Sequence, residues 1–137
     1  MATWPYKAVK LGAEKPLLPV SIGNVKTGQS ESFYGLLDSG SDTCFFDAEV
    51  GRSLGIEIEK GRVANVHGVV PGKWQPAYQH QVRLRFLGTD VVITAGFMFG
   101  LSKHGYGILG QRGFFDQVES VTFDRKKGIF GVVETRT

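Results

Sequence analysis

Short apolar runs, each broken by glycine, proline or asparagine, dominate the chain, and long stretches of helical periodicity are scarce. Leu17 to Ile22 is apolar and ends at Gly23-Asn24, a turn signal. Glu31 to Leu37 alternates loosely into an apolar end and breaks at Asp38-Ser39-Gly40. Thr43 to Phe46, β-branched and aromatic, predicts another short strand. Ala48 to Leu54 predicts one or two helical turns closed by Gly55, and Ile56 to Val66 again mixes polar and apolar positions. In Val70-Pro71-Gly72-Lys73 the proline presets φ and the glycine accepts a positive φ, which suits a type II turn. Gln79 to Phe86 then alternates cleanly, with Val82, Leu84 and Phe86 on one face and Gln81, Arg83 and Arg85 on the other. Residues from about Val63 to Phe86 therefore read as a long β-hairpin with a Pro-Gly tip.

The C-terminal half continues in the same way. Gly88-Thr89-Asp90 predicts a turn, Val91 to Thr94 a strand, and Gly100 to Gly107 a glycine-rich loop after the apolar Phe97-Met98-Phe99. Ile108-Leu109-Gly110 is a short apolar strand ending in glycine, and Phe114 to Val118 predicts a short helix. Val121 to Asp124, the basic turn Arg125-Lys126-Lys127-Gly128, and Ile129 to Val133 read as strand, turn and strand. Near the N-terminus, Trp4 to Val9 is a further strand-forming segment. The pattern predicts an all-β fold with one or two short helices, and neither linker nor internal repeat divides it.

Composition agrees with one globular domain over residues 1–137. The chain is 42% hydrophobic and 21% charged, ordinary values for a packed core, and its 19 glycines fit a turn-rich β fold. The formal charge of +3 is carried by scattered cations, with no basic stripe interleaved with stacking aromatics, so nucleic acid is not an expected partner. With Cys44 as the one cysteine, no intrachain disulfide can form. The start Met1-Ala2-Thr3-Trp4-Pro5 has no secretory pattern, and no apolar run approaches the ~20 residues a membrane helix needs. The expectation is a cytoplasmic protein without membrane contact, or a soluble piece of a larger parent.

The chemistry concentrates in Gly35-Leu36-Leu37-Asp38-Ser39-Gly40-Ser41-Asp42-Thr43, where an apolar run delivers a carboxylate to a sharp turn. By themselves those residues also fit an Asx-turn carboxylate serving nearby amides. Other chemistries lack their parts. His67, His80 and His104 show no His-x-x-x-His spacing, so no metal and no cofactor is expected. No Gly-x-Ser-x-Gly elbow is present, and Cys44 beside Phe45-Phe46 reads as a core thiol.

Leu36-Leu37-Asp38-Ser39-Gly40-Ser41 resembles the catalytic loop of aspartic peptidases, and Gly107-Ile108-Leu109-Gly110 resembles that family's second mark, an apolar pair followed by glycine. The Pro-Gly-tipped hairpin lies between them, where the family places its flap. With the tail from Gly113-Phe114-Phe115-Asp116 to Gly128-Ile129-Phe130-Gly131, residues of about 15–133 resemble single-domain retropepsin-like peptidases of the bacterial and cellular type, similar to retroviral proteases.

The resemblance implies a closed, Greek-key-like retropepsin β-barrel assembled as a C2 homodimer, and an aspartic endopeptidase acting on a peptide or protein substrate. Asp38 is then the catalytic aspartate, paired with Asp38 of a second copy, because the chain carries a single such motif. Ser39 interlocks beneath the pair, Gly40 meets substrate through its backbone, and Asp42 binds substrate main chain. His67, Gly68, Val69, Val70, Pro71, Gly72 and Trp74 form the flap over the peptide. Ser41, Ile108, Leu109, Gly110 and Arg112 support the site. An Asp42–Arg112 ion pair is less expected than in retroviral proteases, because Gln111 follows Gly110 and the arginine comes one place later. The terminal strand segments imply an interleaved sheet between subunits. Two alternatives remain open at this point: a catalytically idle retropepsin-fold module that dimerises or binds peptides, and a plain β-sandwich binding domain.

Overall fold

A computed structural model describes residues 1–9, 12–68, 72–101 and 105–135. The expected flap residues Val69, Val70 and Pro71 lie outside the described residues.

The alternating segments become strands that close on themselves. β1 (Ala2–Pro5), β2 (Lys7–Val9), β3 (Gly12–Lys15), β4 (Leu17–Asn24) and β5 (Ser30–Leu37) lead to the Asp38 loop. β6 (Phe45–Asp47), the helix α1 (Ala48–Ser53), β7 (Arg62–His67), β8 (Trp74–Phe86) and β9 (Thr89–Met98) follow. β10 (Gly107–Leu109), β11 (Val118–Asp124) and β12 (Ile129–Glu134) complete the order. The main sheet runs β4-β5-β10-β6-β9-β8-β7, and a further β4–β8 pairing closes its first six strands into a barrel. Closure leaves those six strands no free edge and excludes the β-sandwich reading. Among the described residues no helix is long and apolar enough to cross a membrane.

The barrel fills with the residues that periodicity assigns to one face. Leu18, Ile22, Val82 and Leu84 are fully buried, with Phe46, Phe97, Leu109 and Phe114. Asp47 caps α1 by accepting from the Glu49 N–H at 3.0 Å, and the helix ends before Gly55, as expected.

Three local expectations are corrected. The turn after Phe86 is Leu87-Gly88, with Thr89 and Asp90 already in β9, because Phe86 pairs directly with Thr89 and Asp90 holds Arg83 and Arg85. β9 does not stop at Thr94. Gly96 continues it, since a Cβ there would lie 2.8 Å from the Phe45 ring, so glycine lets the ring cover the strand. The segment Trp4 to Val9 is divided at Tyr6. β1 pairs with β12 of its own chain in a three-stranded sheet ordered β1-β12-β11, and β2 pairs with β3. Trp4 stacks on Phe130 at 5.6 Å across the β1–β12 pair.

Candidate active site

Asp38 follows β5, and its position is set by a third strand. β10 runs parallel to β5, pairing Leu109 with Leu37, and antiparallel to β6, pairing Ile108 with Phe45. Two strands consecutive on either side of the loop are thus separated by a strand from far along the chain. The Asp38 N–H donates to the Leu109 carbonyl at 3.0 Å, carrying the ladder one residue past β5.

Residues 110–112 then run along the loop. Gln111 N–H donates to the Ser41 carbonyl at 2.8 Å, and Arg112 N–H to the Asp42 carbonyl at 2.9 Å. Ser41 Oγ donates to the Thr43 carbonyl at 2.8 Å, tightening the turn. Gly110 permits this approach: a Cβ there would sit 2.1 Å from the Thr43 carbonyl oxygen and 2.7 Å from that of Ser41. Ile108 and Leu109 lie in β10, the strand between β5 and β6.

The carboxylate itself is held locally. Gly40 N–H donates to Asp38 Oδ1 at 3.0 Å, and Ser41 N–H to the Asp38 carbonyl at 3.1 Å. Asp38 is half-buried, whereas Ser39, Gly40 and Asp42 are exposed. The turn therefore presents an aligned carboxylate with exposed neighbours on its far side.

Asp42 and Arg112 meet through the main chain. Among the described residues no ion pair joins their side chains, both of which are exposed. The one-residue displacement of the arginine puts it in a parallel bridge with Thr43, a position fixed by its backbone.

The hairpin projects beyond the barrel wall. β7 pairs with β8 from Arg62–Gln79 to His67–Trp74, whereas β9 meets β8 only from Tyr78 onward. The outer part is thus a two-stranded arm, a unit of marginal stability by itself. His67 and Trp74 stack across its end at 5.5 Å, and Trp74 is 57% exposed, away from the hairpin base. Gly72 has φ +83°, as expected for the turn glycine. Gly68 borders, with Gly72 and Trp74, a cavity of about 740 Å3 backed by Met98 and Phe99. A second cavity of about 700 Å3 lies between the arm and the loop, with Asn65, Val66 and His67 on one wall and Asp42, Thr43 and Arg112 on another. The arm and the loop therefore border one groove. Phe99 and Asn65 had no sequence signal, because their places depend on where β9 ends and how β7 faces.

Cys44 closes the loop from the core side. Gly110 N–H donates to its Sγ at 3.4 Å, and burial pushes the thiol up to about 11 against the weaker opposing pull of that N–H. The folded state thus holds the thiol proton more tightly than the unfolded chain. That contribution is complete below the ordinary value of 9.0 and is lost as pH rises towards about 11. At neutral pH, Cys44 is expected to resist iodoacetamide in the native protein and to react on unfolding, a contrast that mass spectrometry checks.

A closed barrel with this loop arrangement is a retropepsin-like fold. No family model matches the chain, and no curated protein matches it in sequence. The crystal structure of a retropepsin-like aspartic protease from Rickettsia conorii aligns over 87% of this chain and 92% of its own, with a TM-score of 0.57 and 13% identity. EIAV protease complexed with the inhibitor HBY-793 aligns over 77% and 88%, with a TM-score of 0.46 and 18% identity. The first of these supports the fold.

Proposed function

We propose that the chain is an aspartic endopeptidase whose active site is shared by two copies, each contributing Asp38. The observation that carries this reading is the half-buried Asp38 carboxylate, aligned by the Gly40 N–H and flanked by exposed Ser39 and Gly40, on a loop whose Asp42 and Thr43 line a groove that the β7–β8 arm borders.

One carboxylate cannot perform the reaction alone. Two carboxyl groups about 3 Å apart share a proton, because both cannot ionise together. The ionised member accepts a proton from water, the protonated member donates to the scissile carbonyl, and the activated water attacks without a covalent enzyme intermediate. With one Asp-Ser-Gly-Ser in 137 residues, the second carboxyl comes from a second copy across a two-fold axis. In this assembly Ser39 packs beneath the pair and Gly40 faces the substrate backbone. Asp42 binds peptide main chain, and the arm from His67 to Trp74 folds over the bound strand. An extended peptide suits a groove bordered by strands, since backbone groups give affinity and alternate side chains enter cavities.

The test is incubation with a mixed peptide library from acid to neutral pH, with products identified by mass spectrometry. Cleavage at internal bonds, blocked by a transition-state-mimicking inhibitor, is the expected result. Intact peptides at every pH, with the protein shown dimeric, would leave an idle module of the same fold.

A further inference from the structure

Gln111, the residue at which the chain departs from the retroviral pattern, touches the loop twice. Besides its backbone bond to Ser41, its side-chain Nε2 donates to the Ser39 carbonyl at 2.7 Å. That carbonyl belongs to the peptide group whose N–H, contributed by Gly40, donates to Asp38 Oδ1 at 3.0 Å. One peptide plane is therefore held at both ends, by the Gln111 amide at its oxygen and the Asp38 carboxylate at its nitrogen. A donor on a peptide carbonyl polarises the same group's N–H, so hydrogen bonds in such a chain strengthen one another.

We infer that Gln111 is a positioning residue for Asp38, acting through the Ser39–Gly40 peptide to fix the carboxylate's direction and to strengthen the hydrogen bond it receives. The inference rests on the proposed role of Asp38. Ser39, Gly40 and Gln111 are all exposed in the single chain, so no packing within the chain holds this peptide before a second copy meets it, and the side-chain bond takes that part. A stronger N–H donor favours the ionised carboxylate, the form that accepts the proton from water. The charged neighbours on the same segments, Asp42 and Arg112, bond here through their backbones and stay unchanged when only residue 111 is altered.

Gln111→Met keeps the length and removes the donor. Its kcat is expected to fall about tenfold with KM within about twofold, the size of one lost hydrogen bond to an aligning group. The acid limb of the rate profile is expected to move to higher pH, which a merely structural role would not produce. Gln111→Glu is expected to recover rate only at acid pH, where its protonated carboxyl can again donate to Ser39. The 13C titration of the Asp38 carboxyl in the two variants and the parent chain reads the same effect without turnover. It separates failure of this inference from failure of the peptidase reading, and a melting curve for each variant shows whether it is folded. A midpoint for Asp38 that moves to higher pH in folded Gln111→Met supports the positioning role. An unchanged midpoint overturns it, as would parental kcat and pH profile in an active enzyme. If Gln111→Met does not fold, the same two outcomes are read from Gln111→Leu, which also lacks the donor and adds no charge beside Asp38.

Discussion

Asp38→Asn is expected to abolish peptide cleavage, with a loss of at least about 1,000-fold in kcat/KM, while leaving the protein folded. Asparagine has the same shape, and its amide oxygen can still accept the Gly40 N–H that Asp38 Oδ1 accepts at 3.0 Å. The Asp38 N–H keeps its bond to Leu109 at 3.0 Å, since only the side chain changes. Asp38 is half-buried and carries no ion pair among the described residues, so the stability change should stay within about 0.5 kcal/mol. The chemistry changes completely. In a symmetric assembly the single substitution removes both carboxyls, and neither a proton acceptor for water nor an acid for the scissile carbonyl remains. Peptide cleavage measured beside a melting curve checks both halves. Residual cleavage near the parental rate would remove Asp38 from the mechanism.

The second large effect falls on stability. In Gly110→Ala the new Cβ would stand 2.1 Å from the Thr43 carbonyl oxygen. That obstacle is backbone, so a rotamer change cannot relieve it, and the Ser41 carbonyl at 2.7 Å blocks the other side. Residues 110–112 would have to withdraw from the Asp38 loop, weakening the Gln111–Ser41 and Arg112–Asp42 bonds that now measure 2.8 and 2.9 Å. Overpacking of this kind costs about 3 kcal/mol or more, which for a domain of this size lowers Tm by roughly 10 °C. Denaturant and thermal unfolding measure it, and any folded fraction is expected to have lost activity through displacement of the loop. A melting curve like that of the parent would show that the clash is relieved by a shift that leaves the packing of this loop unimportant for stability.

The legible parts of this molecule are those with a local cause. Alternation along Val82, Leu84 and Phe86 carries their burial, and glycine after Pro71 carries the positive φ at Gly72. The apolar run before Asp38 and the Ile108-Leu109-Gly110 run mark the two strands that lie side by side in the barrel. The parts that were not legible depend on contacts distant along the chain. Gln111 and Ser39 stand 72 residues apart, and their hydrogen bond exists only because β10 passes between β5 and β6. The sequence pattern ends the strand at Thr94, because the Phe45 ring that occupies the space above Gly96 comes from a separate strand. Likewise the Leu87-Gly88 bend, one step ahead of the expected turn, is tied down by Glu134, whose Oε1 accepts the Gly88 N–H at 2.8 Å. Nothing in the string of residues near Leu87 announces a partner in β12.

The central claim is that two chains build one site, and mixing subunits tests it most directly. Parental chains are allowed to reassort with a threefold excess of Asp38→Asn chains, and cleavage is measured per parental chain. If every site needs Asp38 from both copies, mixed dimers are inactive and the rate per parental chain falls to about one quarter. A rate per parental chain that stays unchanged, with reassortment verified by mass spectrometry, would contradict the shared site.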